Sequence, residues 1–278
     1  MPGLAPAAAH RAGRLGCPPL PAVIGHRGAA AYGPENTLAS FRQAAALGCG
    51  WVEFDVRLTA DGALVVFHDS RLDRTTDGCG RISALPLAAI RRCDAGSRFG
   101  REFGGQRVPT LSEALHLLSE LQIGANIELK ADRGLEHATG VAAAAELGAR
   151  PPGEGPPILL SSFLPRALAA ARDRAPALPR GILFKAVPRR WREIAARLGC
   201  ATIHAEHRRL RRALAGEIRQ AGFPLLAYTV NDPARARTLF GWGVTSVFSD
   251  APDIILARLP AGSRARSTKL CSAGAIRP

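Results

Sequence analysis

The stretch WVEFDVRLTADGALVVFHD, residues 51–69, carries the first indication of the fold. Its first half is an apolar framework typical of a β-strand, yet Glu53 and Asp55 interrupt it. Side chains two residues apart on a strand point to the same face, so both carboxylates are expected at one spot. Such neighbours repel each other unless one is protonated or a cation lies between them. A polar strand face in solvent is the alternative.

The second half of this stretch predicts a hairpin arm that returns to the same place. Asp61-Gly62 is a turn signal, so residues 65–67 are expected to fold back beside the strand. His68 would then approach the two carboxylates. The next segment, 70–107, is too long and glycine-rich for an ordinary loop. In barrel folds, long insertions of this kind lie over the functional site at the ends of the strands. We therefore expect a small cap there.

Short apolar runs alternate with Ala-, Leu- and Arg-rich segments of helical periodicity along the chain. Helix-start signals include PENT at 34–37 and a capping box from Thr110 to Glu113. Eight such units favour an α/β fold, a closed (β/α)₈ TIM-type barrel with a small insertion after the second strand. The predicted strands are AVIGH (22–26), WVEFDV (51–56), ANIELK (125–130), PILLSSF (157–163), RGILFK (180–185), ATIHA (201–205), PLLAYTV (224–230) and TSVFSD (245–250).

Length and composition suit one large folded domain or two small ones, since 278 residues that are 47% hydrophobic provide ample core. We expect the barrel over 21–260, with a disordered N-terminal extension at 1–20 and a disordered basic tail at 261–278. No stretch approaches the roughly 18 apolar residues that cross a bilayer, which predicts no stable membrane anchor and a cytoplasmic location. Six cysteines without a CxxC pair indicate reduced thiols rather than a zinc module or disulfides.

The formal net charge of +14 raises the question of a nucleic-acid partner. The basic residues, of which only three are lysines, are spread along the chain without an aromatic-interleaved or helix-turn-helix motif. No nucleic-acid partner is therefore expected. Clusters at 188–192 and 207–212 are more typical of solvated helix faces, and a polyanion-binding surface is the alternative. Attraction for anionic substrates follows in either case.

Ionisable residues gather where the predicted strands end, which is where TIM barrels place their chemistry. His26 and Arg27 end the first strand, and Glu128 and Lys130, again two apart, end the third. With the carboxylates of the second strand and His68, three acids would face one pocket between two histidines and two cations. An all-oxygen set of ligands suits a hard cation such as Mg²⁺ or Ca²⁺. The sequence does not choose between the two metals.

Six motifs together resemble the ordered signature of the glycerophosphodiester phosphodiesterase family over roughly residues 22–258: HRGAAAYGPENT, VEFDVRLTADGALVVFHD, LDRTTDG, VPTLSEAL, IELK and YTVND. The resemblance implies a metal-dependent TIM-type barrel that hydrolyses glycerophosphodiesters to sn-glycerol 3-phosphate and an alcohol. In the family's usual scheme, the glycerol 2-hydroxyl attacks phosphorus first and water then opens a cyclic phosphate. The implied partner is a small-molecule glycerophosphodiester.

The resemblance also implies a role for each residue of the predicted pocket. Tyr228 stands at the family's aromatic position on the seventh strand, where it would wall the glycerol pocket, and core packing is the alternative. The implied metal ligands are Glu53, Asp55 and Glu128, the acid/base pair is His26 and His68, and the substrate-binding residues are Arg27, Lys130 and Tyr228.

Alternative roles stand beside several of these assignments. Lys130 could serve only as an ion-pair partner of a neighbouring carboxylate, and Arg27 could brace the barrel instead of binding phosphate. We interpret Asn36 as a helix cap and leave it out of the site. His204 and His207 are interpreted as structural or solvent-exposed, because the sequence places no carboxylate partner beside them.

Three functions compete at this point. The first is hydrolysis of soluble glycerophosphodiesters, and the second is a lysophospholipase D-type reaction on lysophospholipids at a membrane. The third is a non-catalytic basic binding protein on a barrel scaffold. The complete set of metal-ligand and acid/base residues argues against the third, and the lack of an amphipathic anchor argues against the second. Headgroup preference and oligomeric state do not follow from the sequence.

Overall fold

The structure is a computed structural model that describes residues 16–150 and 155–259. Eight parallel strands form a closed ring, because β1 pairs with both β2 and β9, and a ninth strand adds antiparallel to β2 outside the ring. The strands are β1 (Val23–His26), β2 (Trp51–Leu58), β3 (Leu64–Val66), β4 (Gly124–Leu129), β5 (Ile158–Ser162), β6 (Arg180–Phe184), β7 (Thr202–Glu206), β8 (Leu225–Tyr228) and β9 (Ser246–Ser249).

Helices follow the barrel strands in the order of a (β/α)₈ fold. The capping box before α3 is present, since the Thr110 hydroxyl accepts from the Glu113 N–H and the Glu113 carboxylate accepts from the Thr110 N–H. The helices are α1 (Leu38–Ala46), α2 (Leu87–Ile90), α3 (Leu111–Glu120), α4 (Glu136–Gly148), α5 (Pro165–Arg174), α6 (Trp191–Leu198), α7 (Arg212–Gln220), α8 (Pro233–Gly241) and α9 (Pro252–Leu256).

The core lies in two layers that follow from strand alternation. Outward residues of β2, such as Phe54, pack against the helices, and Phe54 meets the ring of Phe41 on α1 at 5.2 Å between centroids. Inward residues fill the barrel. Gly124 on β4 lies opposite Trp51, and a Cβ there would come within 2.3 Å of the indole, so only glycine fits. The interior cluster is Ile24, Trp51, Leu159, Leu226 and Phe248.

The hairpin and the insertion after the second strand are both present. Gly62 takes a φ of 83° at the turn, and β3 then runs antiparallel to β2 with Val66 opposite Val56. The segment 70–107 contains three short 3₁₀ helices, at Leu72–Arg74, Ile82–Ala84 and Arg101–Phe103, besides α2. A small apolar core packs this segment against the hairpin arm, formed mainly by Val65, Phe67, Leu72, Ile82, Ile90, Ala95 and Val108.

The predicted fold class is thus confirmed, and all eight predicted strands are present. Within the described ranges no helix is long and apolar enough to cross a membrane. The five cysteines there are all unpaired. The predictions for residues 1–15 and for the tail from 260 onward lie outside the described residues. The cytoplasmic location stays a prediction.

Candidate active site

A cavity of about 350 Å³ opens at the carboxyl ends of the barrel strands. The buried inner layer of the barrel closes it from below, and residues at the ends of β1, β2, β4, β5, β6 and β8 form its wall. All eight residues predicted from the sequence line this one cavity. The complete lining is His26, Arg27, Glu53, Asp55, His68, Asn126, Glu128, Lys130, Phe163, Leu183, Lys185, Tyr228, Thr229 and Phe248.

A tight left-handed turn shapes the cavity just after β1. Arg27 has a φ of 50° and Gly28 a φ of 91°, so the backbone reverses immediately beyond His26. A Cβ on Gly28 would lie 2.3 Å from the Ser40 hydroxyl oxygen, which explains glycine there. The turn aims the Arg27 N–H at the cavity, where it donates to Glu53 Oε2 at 3.0 Å. A non-glycine residue in this conformation is strained, and strain of this kind concentrates at functional sites.

Glu53, Asp55 and Glu128 form a buried acidic triad. Strands β2 and β4 pair in register with Asp55 opposite Glu128, and one ligand oxygen from each of the three carboxylates lies within 4.8 Å of the others. Burial and the charge of Asp55 raise the pKa of Glu53 to about 7, and burial raises the pKa of Glu128 to about 8. The protein therefore provides too little positive charge around the triad to keep all three carboxylates ionised at neutral pH.

Two cations compensate the triad in part. The Lys130 ammonium lies 2.6 Å from Glu128 Oε1 and 3.4 Å from Asp55 Oδ1. Arg27 donates from Nη1 to Glu35 Oε1 at 2.7 Å, and its Nε lies 3.6 Å from Asp55 Oδ2. Burial alone would raise the pKa of Asp55, but these two cations outweigh it and lower the pKa to about 2. Both side chains therefore form ion pairs and line the cavity at the same time.

Each of the two histidines is held by a carboxylate at Nδ1. His26 Nδ1 lies 2.6 Å from Asp250 Oδ1, and His68 Nδ1 lies 2.6 Å from Asp69 Oδ1. Burial lowers the pKa of His26, but the hydrogen bond to Asp250 and the charge of Glu53 together outweigh burial, so the net shift of the pKa is upward. Burial outweighs the attraction of the acids around His68 and lowers its pKa. A carboxylate at Nδ1 leaves Nε2 for the cavity, as in acid/base histidines.

The interpretation of Asn36 as a helix cap was wrong. Thr37 caps α1 by accepting from the Ser40 N–H, while Asn36 lies buried with its Nδ2 donating to Asp55 Oδ2 at 2.9 Å. Its Oδ1 in turn accepts from the Asp55 N–H at 3.2 Å. Asn36 has a φ of 59°, which asparagine tolerates better than most residues. It therefore positions a triad carboxylate, a role that the adjacent helix signal concealed.

Sequence reasoning also missed the carboxylates behind the first layer of residues. Asp250 ends the last predicted strand, TSVFSD, so the rule that led to the triad could have found it. Asp69 directly follows His68 in the chain. Glu35 accepts from both Arg27 and Arg74, at 2.7 Å each, and so joins the insertion to the site. This last contact spans distant segments, and no local pattern indicates it.

The structure also gives the positions of Tyr228 and of the two remaining histidines, His204 and His207. Tyr228 lines the cavity, donates from its hydroxyl to the Phe184 carbonyl at 2.9 Å, and packs edge-on against Phe163 at 5.7 Å. His204 is fully buried below the cavity and bonds Thr202 at 2.9 Å. His207 is half-buried and bonded by Arg235. The last two agree with the interpretation of these histidines as structural.

The fold and this cavity define an enzyme of the TIM-barrel class, with its chemistry at the carboxyl ends of the strands. The sequence model of the glycerophosphoryl diester phosphodiesterase family matches residues 26–254. The chain therefore belongs to the glycerophosphoryl diester phosphodiesterase family.

Known proteins are similar to this chain over most of its length. A phosphodiesterase from Oleispira antarctica, solved in complex with the product sn-glycerol-3-phosphate, has a TM-score of 0.83 and 42% identity over 86% of this chain and 96% of that one. The glycerophosphodiester phosphodiesterase of Caldanaerobacter subterraneus is 32% identical, over 84% of this chain and 96% of its own length. That of Bacillus subtilis is 32% identical over 90% of both chains.

Proposed function

We propose that this chain hydrolyses glycerophosphodiesters to sn-glycerol 3-phosphate and an alcohol, with a divalent metal and two histidines. The observation that carries the proposal is one cavity that combines a buried acidic triad with two imidazoles, each held at Nδ1 by a carboxylate. The product bound to the Oleispira antarctica relative supports the choice of substrate.

The donor set fits a hard divalent cation. Three buried carboxylates without a cysteine or histidine among them are the ligands that Mg²⁺ or Ca²⁺ prefers. The raised pKa values of Glu53 and Glu128 support this choice, because a divalent cation would offset the repulsion between the three negative charges. Glu53, Asp55 and Glu128 would hold the ion, which would supply Lewis-acid neutralisation of the phosphodiester oxygens. Asn36 fixes the rotamer of Asp55 for this purpose.

The two histidines transfer the protons of the reaction. One Nε2 removes the proton from the attacking oxygen, and the other protonates the departing alkoxide. Asp250 and Asp69 hold the two rings and stabilise the imidazolium form when it appears. The two imidazoles can exchange these roles in a second step, because each can accept a proton and release it again. This exchange suits a reaction that passes through a cyclic phosphate and then admits water.

The remaining lining residues orient the substrate. Arg27 and Lys130 present positive charge beside the triad, where the phosphodiester would lie, and their own carboxylate partners keep them in place. Tyr228 and Phe163, whose ring lies 5.6 Å from the Lys130 ammonium, provide an apolar wall for the glycerol carbons. Attack by the neighbouring glycerol hydroxyl gains its advantage from proximity, because the nucleophile is already part of the bound molecule.

Metal removal tests this proposal. The purified chain is expected to release sn-glycerol 3-phosphate from glycerophosphocholine, and EDTA followed by desalting should abolish the release because the triad then lacks its cation. Added Mg²⁺ or Ca²⁺ should restore it. Unchanged turnover in the metal-free protein would contradict metal dependence. No turnover of any glycerophosphodiester by metal-loaded protein would contradict the proposed function itself.

A further inference from the structure

Lys185 lies in the catalytic cavity but takes no part in the proposed chemistry. It follows β6 two residues after Leu183, which also lines the cavity, so strand alternation places both side chains on the inward face. Lys130 and Phe163 occupy the equivalent places at the ends of β4 and β5. Unlike Lys130, Lys185 is exposed, so it stands at the mouth of the cavity.

Lys185 differs from every other ionisable residue of the cavity in having no polar partner within the described residues. Lys130 and Arg27 bind carboxylates, and so do the two histidines. Glu206, which ends the neighbouring strand β7, pairs with Arg209 at 3.3 Å instead. The Lys185 ammonium is thus available to a ligand, with no internal carboxylate to displace.

The loops around Lys185 contain no acid that would cancel its charge. The segments 185–190 and 207–212, which follow β6 and β7, contain seven arginines and lysines and no aspartate or glutamate. Arg189, Arg208 and Arg211 are exposed and form no ion pair within the described part of the chain. The mouth on this side is therefore positive, whereas on the β1–β2 side Glu35 and Asp69 offset the charge of Arg74, and Asp250 pairs with His26.

A phosphodiester has two arms, and the charge of Lys185 matters differently for each. The glycerol arm is the same uncharged group in every substrate, so a free ammonium adds little selectivity there. The alcohol arm varies, and an anionic group on it would find a partner at Lys185. We propose that Lys185 binds a carboxylate or phosphate on the alcohol arm, which makes this chain selective for glycerophosphodiesters with acidic headgroups. This inference rests on the proposed function.

Two substrates that differ by one carboxylate test the inference. Glycerophosphoserine is glycerophosphoethanolamine with a carboxylate added, so the ratio of their kcat/KM values isolates that group. The wild type should favour glycerophosphoserine. Lys185→Gln should lower kcat/KM for glycerophosphoserine about tenfold, which is the size of effect expected for loss of a charged hydrogen bond. Its kcat/KM for glycerophosphoethanolamine should change by less than about twofold, so the ratio should fall about tenfold. Lys185→Arg should retain the preference.

The control is Arg189→Gln, which removes one positive charge from the same loop but outside the cavity lining. It should leave the ratio within about twofold of wild type, because solvent and salt screen an exposed charge at a distance. An equal fall for both substrates in Lys185→Gln would overturn the inference, since Lys185 would then act on the shared phosphate or glycerol. An unchanged ratio would overturn it as well. Failure of the wild type on every glycerophosphodiester would instead remove the proposed function, and this inference with it.

Discussion

Glu53→Gln is expected to lower kcat/KM by about 1,000-fold or more, because Lewis-acid stabilisation is worth several kcal/mol and this change removes a ligand oxygen charge. The same change should stabilise the metal-free protein at pH 8. Burial and Asp55 raise the pKa of Glu53 from 4.5 to about 7, so its ionised form destabilises the fold. Stability of the wild type is therefore lost as the pH rises through that interval, and glutamine avoids the loss.

Thermal unfolding with and without metal measures both effects. Wild-type protein should gain melting temperature on addition of Mg²⁺ or Ca²⁺, while Glu53→Gln should start higher and gain nothing. Glu146→Gln is the matched control, because burial also raises the pKa of that carboxyl, which lies on α4 outside the cavity lining. A Glu53→Gln variant that still binds metal and turns over normally would contradict the role of the triad.

His26→Ala and His68→Ala are each expected to lower kcat on glycerophosphocholine by about 10²–10⁴-fold, which is the usual contribution of a positioned acid or base. A substrate with an activated leaving group, such as the p-nitrophenyl ester of glycerol phosphate, separates the two roles. It needs no proton on the departing oxygen, so it should restore the rate of the variant that lost the acid. The variant that lost the base should stay slow.

His116→Ala is the control for this pair, since that histidine lies exposed on α3, outside the cavity, and pairs with Glu120 on the same helix. It should retain wild-type rates with both substrates. Near-normal turnover by either cavity variant on glycerophosphocholine would contradict the acid/base assignment, and so would equal recovery of both variants on the activated ester.

The barrel and its site cavity could be predicted because both follow from local rules. Apolar runs of strand length mark the barrel strands, and period-two spacing puts Glu53 with Asp55 and Glu128 with Lys130 on the inward face. The end of a strand in this fold is also the place of the site. The Asp61-Gly62 turn likewise predicts the hairpin without any knowledge of the partner strand.

What the sequence concealed depends on contacts between distant segments. Asn36 has the residue type and position of a helix cap, and only the fold reveals that its side-chain amide instead donates a hydrogen bond to the Asp55 carboxylate. The pairing of His26 with Asp250 joins the first barrel strand to the last, across the closure of the ring. Lys185 lacks a carboxylate partner because Glu206, at the end of the neighbouring strand, forms its ion pair with Arg209 instead. Periodicity carries no information on such choices.

The most direct test of the central claim is the position of the metal. Crystals grown with Mn²⁺, an oxygen-preferring ion whose anomalous scattering identifies it, should show one strong peak between the carboxylates of Glu53, Asp55 and Glu128. The account predicts that all three residues contact the ion and that His26 and His68 lie beside it without binding it. A peak elsewhere, or none at saturating Mn²⁺, would contradict the account.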